Sequence, residues 1–415
     1  MQLTHLTNAR IVDGTQPEPT APMTVVIEGD RIKQVSPTSG PPSLAPGSAR
    51  LIDLKNRVLM PGLIDCHVHI VAVLASLGQN ATLPDSLVMA RSIRLQHDML
   101  MRGFTTVRDV GGADHGQVVA SNEGSVFGPR LIIAGKALSQ SGGHCDFRGR
   151  FNAGPNHFET RLGALGRLCD GVPEIRRAAR EEIKAGAQFI KLMANGGVAS
   201  PTDPIHFLGF SQEEITAAVQ EAEAASTYVA AHLYTDPAIR RAVECGVRSL
   251  EHCNLIQPAT AQFAAERGAF AVPTLVTYDK LAEEGEALGL GAESVAKIDS
   301  VRHAGIGSLE VMQAAGLPMA FGTDLLGPMQ RHQSEEFVIR ARMLPAQTVI
   351  ASATRIAARL CRMEELIGTV APGAFADLIV VDGDPLRDLS LLTRQGAHMP
   401  LIVKGGEVVK HTPWH

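Results

Sequence analysis

The 415-residue sequence predicts an α/β fold, a (β/α)8 TIM-like barrel carrying a small β-sandwich domain formed by both chain termini. Three observations predict it. Short apolar runs alternate with helical stretches between about residues 60 and 360, hairpin signals gather at both ends of the chain, and polar residues able to hold a metal sit at the ends of the apolar runs.

At the amino end, Val25 to Ile32 reads as two alternating strands turning at Gly29-Asp30. Ser36 to Ser48, rich in Pro, Ser and Gly, reads as an irregular loop, followed by a strand pair, Arg50 to Leu54 and Arg57 to Met60. The carboxyl end repeats this character: Ala376 to Asp382 is a strand, and Leu401 to Val409 is a hairpin turning at Gly405-Gly406. Residues 1–59 and 361–415 are therefore assigned to one β-sandwich domain and residues 60–360 to the barrel.

The eight barrel strands are expected at Leu63 to Ile70, Phe104 to Asp109, Leu131 to Gly135, Phe189 to Met193, Tyr228 to Leu233, Ser249 to His252, Ala269 to Pro273 and Met319 to Thr323. Between them, Ser211-Gln212-Glu213-Glu214 forms a capping box, followed by the buried stripe Ile215, Ala218, Val219 and Ala222. Asp236-Pro237 starts another helix, with proline at its first position. A barrel places its chemistry at the carboxyl ends of its strands, where every candidate ligand falls.

A net charge of -5 argues against broad nucleic-acid or anionic-membrane binding, which needs a basic face. No apolar run reaches the ~18 residues of a membrane span, and Met1 to His5 lacks the pattern of a secretory signal, so a soluble cytoplasmic protein is expected. The six cysteines show no C-x-x-C spacing and read as reduced packing residues.

His67 and His69, two residues apart in a strand, project to the same side. Lys191, His232 and His252 come from the fourth, fifth and sixth strands, and Asp324 lies just beyond the eighth. Any one of these has a bland explanation as a core histidine or a turn cap. Together at one barrel mouth they are costly to desolvate unless a divalent cation pairs with most of them. The ammonium of Lys191 cannot ligate, which leaves it as a substrate-binding cation, a salt-bridge partner or a carbamate.

The run Val58 to His69, Lys191, His232, His252, Gly322-Thr323-Asp324 and the closing Gly373 to Leu378 together resemble the metal-dependent amidohydrolase superfamily over nearly the whole chain. Ser141-Gly142-Gly143-His144, Lys191 to Val198, Ala231 to Asp236 and Pro273 to Tyr278 resemble its branch of Xaa-Pro dipeptidases and carboxypeptidase-like enzymes, which includes ochratoxin-degrading amidohydrolases. The resemblance implies a binuclear site, usually zinc, with Lys191 carbamylated and bridging. His67, His69 and Asp324 would hold one ion, and His232 and His252 the other. It further implies that Asp324 acts as general base, that amide bonds of dipeptides or N-acyl amino acids with a free carboxylate are cleaved, and that the protein is a homo-oligomer.

For the substrate, His144 after two glycines is placed to meet an oxyanion or a carboxylate, against the reading of a surface-loop histidine. Tyr234 shares a strand face with His232 and offers its phenol, against the reading of a packing tyrosine. Arg331 suits a terminal carboxylate, although many loop arginines are merely solvated, and His206 lies in a candidate flap, Ala199 to Phe210. Two other readings stand beside this one. A one-metal cyclic-amide hydrolase similar to imidazolonepropionase lacks the bridging lysine, and a non-catalytic scaffold of the same fold typically lacks metal ligands.

Overall fold

The computed structural model describes residues 3–38, 49–200 and 202–414. Its strands in chain order are β1 (Leu3–Ile11), β2 (Met23–Glu28), β3 (Arg31–Pro37), β4 (Ala49–Asp53), β5 (Val58–Pro61), β6 (Leu63–Val68), β7 (Phe104–Asp109), β8 (Arg130–Ile133), β9 (Ala137–Ser139), β10 (Gly166–Leu168), β11 (Ile190–Met193), β12 (Val229–Thr235), β13 (Ser249–Leu255), β14 (Phe270–Val272), β15 (Leu378–Val381), β16 (Leu401–Lys404) and β17 (Glu407–His411). The chain forms two compact units, one of Met1–Asp65, Asp98–Thr106 and Phe337–His415, the other of Cys66–His97 and Val107–Glu336.

In the first unit, strands from both termini join one sheet in the order β17-β16-β15-β5-β1-β2-β3, with β4 also paired to β1. The join between the two ends is antiparallel, Met60 opposite Ile379. Both expected hairpins form, with Gly29, Gly405 and Gly406 at positive φ. A Cβ on Gly406 would lie 1.9 Å from the Gly29 carbonyl oxygen, so the two hairpin tips meet only because a glycine is there. Leu6, Val25, Ile32, Leu54, Leu59, Val380 and Leu401 share one buried core.

Two expectations at the amino end are corrected. β4 and β5 do not pair with each other; each lies parallel to β1. The loop expected from Ser36 begins later, since β3 runs to Pro37, and residues 39–48 of that loop lie outside the described residues.

In the second unit the strands run parallel in the order β10-β9-β11-β12-β13-β14, and β6-β7-β8 form a three-stranded sheet. β9 and β10 were not expected, because three residues are too few to display alternation. The expected eighth strand is not formed. Met319 makes only an isolated bridge to Ala271, and Phe321 and Asp324 bond instead to Cys66 and His67 at 2.7 and 2.8 Å. Asp324 itself has φ +52, which ends the extended run.

The helix Gln212–Ala224 carries the Ser211/Glu214 capping box and buries Ile215, Ala218, Val219 and Ala222. In the helix Asp236–Glu244, Thr235 is the N-cap and Asp236 the first helical residue, so proline falls one place later than expected. All six cysteines are free, and no helix among the described residues is long and apolar enough to cross a membrane.

Candidate metal centre

His67 near the end of β6, His69 just past it, and Asp324 each offer a ligand atom, and these atoms lie within 4.8 Å of one another. The Asp324 Oδ1 is 3.3 Å from Nε2 of both histidines. His252 from β13 stands 4.8 Å from His67 and 4.7 Å from His232 of β12, measured between ring centroids. Lys191 on β11 is buried, and its Nζ has no hydrogen-bond partner. Such an isolated amine in a polar cluster is a group awaiting chemistry or a ligand.

Each imidazole has one nitrogen tied to an outer group. His67 Nδ1 lies 2.7 Å from Glu251, His69 Nδ1 2.9 Å from the Gly111 carbonyl, His232 Nε2 3.3 Å from the Gly196 carbonyl, and His252 Nδ1 2.8 Å from the Thr274 hydroxyl. Carbonyl and carboxylate oxygens accept only, so His67, His69 and His232 donate there, and the opposite nitrogens of His67 and His69 face Asp324. Neutral imidazoles oriented by an outer acceptor are what a borderline cation such as zinc binds.

Electrostatics agree with that role at His232 and His252, whereas at His69 burial opposes the charge but Asp324 and Asp109 outweigh it and raise the imidazole. Burial and then the neighbouring His144 push His232 well below the ordinary imidazole range, and burial and then His67 do the same to His252. Burial opposes ionisation of Asp324, yet the charge and hydrogen bonds of His67 and His69 outweigh it and hold the carboxyl well below its usual range. Burial lowers Lys191 to about 8, which makes its neutral, nucleophilic amine accessible near physiological pH.

Several members of the site escaped the sequence reading. Glu251 lies next to His252, and strand alternation sends neighbours to opposite sides. Here His252 and Cys253 adopt φ +73 and +59, so the strand turns over and both Glu251 and His252 reach His67. Glu251 in turn accepts from Arg108, 2.8 Å away and fully buried, and from the Ser249 hydroxyl at 2.5 Å. Burial works against the Glu251 charge, but Arg108 and His67 overcome it and keep it ionised. Asn195 accepts from the backbone N–H groups of Tyr234 and Thr235 at 2.8 and 2.9 Å and donates to the carbonyls of Ile205 and Phe207, fastening the end of β12 to the loop that follows β11.

The predicted substrate residues fall in different places. His144 stacks on His232 at 4.3 Å, and Tyr234 packs edge-on against His232 at 4.7 Å with its phenol accepting from Tyr278 at 3.1 Å. Burial raises the Tyr234 phenol far above its usual range, so it stays a proton donor. Arg331 is half exposed and bound to Glu284 at 2.6 Å, while His206 is exposed against the Phe207 ring. A cavity of about 260 Å³ that reaches Cys145 is lined by Leu77, Phe147 and Phe158 together with Arg148, Asn152 and His157, and none of the candidate ligands lines it.

The amidohydrolase family model matches residues 58–408. The ochratoxinase of Aspergillus niger is 32% identical over 382 residues, covering 86% of this chain and 77% of that protein. A crystal structure of a prolidase complexed with N-methylphosphonate-L-proline superposes with a TM-score of 0.96 at 48% identity, covering 99% of this chain and 100% of that one. A Xaa-Pro dipeptidase with methionine bound in its active site gives 0.87 at 28% identity, over 99% and 100% of the two chains. With His67, His69 and Asp324 gathered where they could hold a metal ion, the chain belongs to the amidohydrolase family, in its dipeptidase and ochratoxinase branch, and is a hydrolase acting on C–N bonds.

Proposed function

We propose that this protein is a binuclear amidohydrolase that cleaves the amide bond of dipeptides, Xaa-Pro among them, or of N-acyl amino acids that keep a free carboxylate. The observation that carries this reading is the partnerless Lys191 amine, close enough to His232, His252 and Asp324 to feel their charges, among imidazoles already oriented from outside. His67, His69 and Asp324 would supply three donors to one ion, whereas His232 and His252 would supply only two to the other. A carbamate on Lys191 would supply the further oxygen donors that these sets lack. Zinc suits these nitrogen and oxygen donors.

The ions, when bound, acidify a water and polarise the scissile carbonyl. The remaining work falls to side chains. Asp324, kept ionised, accepts the proton of the attacking water and passes it to the leaving nitrogen. His144 and the protonated Tyr234 phenol meet the carbonyl oxygen or the substrate carboxylate. Arg331 can take that carboxylate only in exchange for Glu284, which makes His144 and Tyr234 the stronger choice. The relatives named for ochratoxin and for proline peptides support a substrate with an amino-acid leaving group.

Around this site we assign residues 60–360 to a closed (β/α)8 barrel, supported by the bonds that Ala320 and Phe321 make to Ala271 and Cys66. Residues 1–59 and 361–415 are assigned to a β-sandwich, supported by the core that both termini share. The family resemblance favours a homo-oligomer, which light scattering on the purified protein checks.

Metal analysis joined to a screen of dipeptides and N-acyl amino acids, each with its carboxyl-amidated control, tests the proposal. About two ions per chain and turnover of the free acids alone are expected. One ion with cyclic-amide turnover, or no ion after reconstitution, would overturn it.

A further inference from the structure

The best-built cluster outside the metal ligands lies behind His144. Its Nδ1 is 2.8 Å from the Ser200 hydroxyl and 3.4 Å from Asp203 Oδ2, and Ser200 and Asp203 are both buried. The Ser200 hydroxyl donates to Asp203 Oδ1, and Asp203 Oδ2 also accepts from the Gly197 N–H at 3.0 Å. From the helix Ala292–Ala314, Lys297 donates its ammonium to the carbonyls of Gly197, Ser200 and Asp203 at 2.9, 2.8 and 3.0 Å. A Cβ on Gly197 would stand 1.8 Å from the His144 ring, so only glycine lets the ring approach this segment.

Proton accounting fixes the direction of these bonds. Ser200 has one hydroxyl proton, and it goes to the Asp203 carboxylate, which only accepts. Ser200 therefore meets His144 as an acceptor, and Nδ1 must carry the hydrogen. Serine, histidine and aspartate are present without forming a nucleophile, because Ser200 and Asp203 share one ring nitrogen and the serine proton points away from the base.

We propose that Ser200, Asp203 and Lys297 are positioning residues: they hold His144 with Nδ1 spent on the protein and Nε2 as the one ring nitrogen available to substrate, and Lys297 acts by gathering the three carbonyls that bring Ser200 and Asp203 to the ring. This rests on the proposed role of His144 in amide hydrolysis. Lys297 touches none of the ligands named above, and its effect passes through two hydrogen-bonding partners.

A double-mutant cycle on the metal-loaded full chain tests the proposal, with the preferred dipeptide as substrate. Asp203→Asn and Lys297→Met are each expected to lower kcat about 10- to 100-fold with metal content retained, the loss typical of a misplaced group. In a His144→Asn background the same substitutions should add less than about twofold, since the group they position is gone. Full additivity would overturn the proposal, and Ser200→Ala provides a milder variant if Asp203→Asn fails to fold. A second measurement is independent of turnover. In 15N-histidine NMR, the His144 Nδ1–H signal, identified by its disappearance in His144→Asn, should be protected in the native chain and lost to exchange in Asp203→Asn. An unchanged signal would overturn the proposal. Absence of dipeptide turnover in every form would instead strike the hydrolysis reading and leave the NMR result to decide this one.

Discussion

At Asp324, desolvation and the facing histidines pull the carboxyl in opposite directions, and the histidines win, leaving an anion that can both ligate and shuttle a proton. Asp324→Asn removes the basic lone pair while nearly keeping the shape. Its expected effect is a loss of kcat of about 10²- to 10⁴-fold with an unchanged circular dichroism spectrum. Undiminished turnover would take Asp324 out of the proton path. Glu251 works one step further back, joining His67 to the buried Arg108. Glu251→Gln leaves the Arg108 charge uncompensated and weakens the hold on His67. Metal affinity should fall about 10- to 100-fold by competition with a chelating dye, with a lower melting temperature alongside. The convergence of His67, His69 and Asp324 was legible in the sequence, the first two from strand spacing and the third from the family resemblance. Glu251 and Arg108 were not, because a left-handed backbone at His252 and Cys253 reverses a side-chain direction that alternation alone would assign.

Strands were read well where an apolar run is long enough to show itself and is covered by helices. β7 has the predicted ends, and β6, β11 and β12 differ from expectation by at most two residues at each end. The segment near Met319 looks equally apolar, but it spends its backbone groups alternately on Ala271 and on Cys66 and His67 and never builds a ladder of its own. Nothing local distinguishes those two outcomes. The pairing of β4 and β5 with β1 is similarly invisible to local pattern, because a parallel partner is chosen by the whole sheet. The segment around Gly322 is nonetheless tightly set. A Cβ there would meet Val272 Cγ1 at 2.5 Å and His67 Cβ at 2.9 Å. Gly322→Ala is therefore expected to push the end of β6 outward, costing about 1–3 kcal/mol of stability and weakening metal binding without touching a ligand side chain. Denaturant unfolding and metal titration of the variant check both effects, and a normal metal affinity would show that the ligand frame tolerates the shift.

For the molecule as a whole, the site is a liability until it is loaded. Lys191 is buried with its amine lowered by desolvation from 10.5 to about 8. Between those values the unfolded chain holds a proton that the folded chain has released, so the stability of the metal-free protein should rise with pH from about 8 to 10.5. Below pH 8 the folded state carries the whole burden of the buried ammonium, about 3 kcal/mol. Lys191→Met should accordingly melt several degrees above the native chain when both are stripped of metal and carbon dioxide at pH 7, and the gap should close toward pH 10.5. With metal and bicarbonate restored the order should reverse. On the proposed function, ions that bind only the folded, carbamylated chain would add about 3 kcal/mol at a hundred times their dissociation constant, and the methionine variant would have no carbamate to share between them. Parallel melting curves for the two proteins across this pH range would mean that the Lys191 amine is solvated in the metal-free state, and the stored cost that makes carbamylation favourable would then be absent.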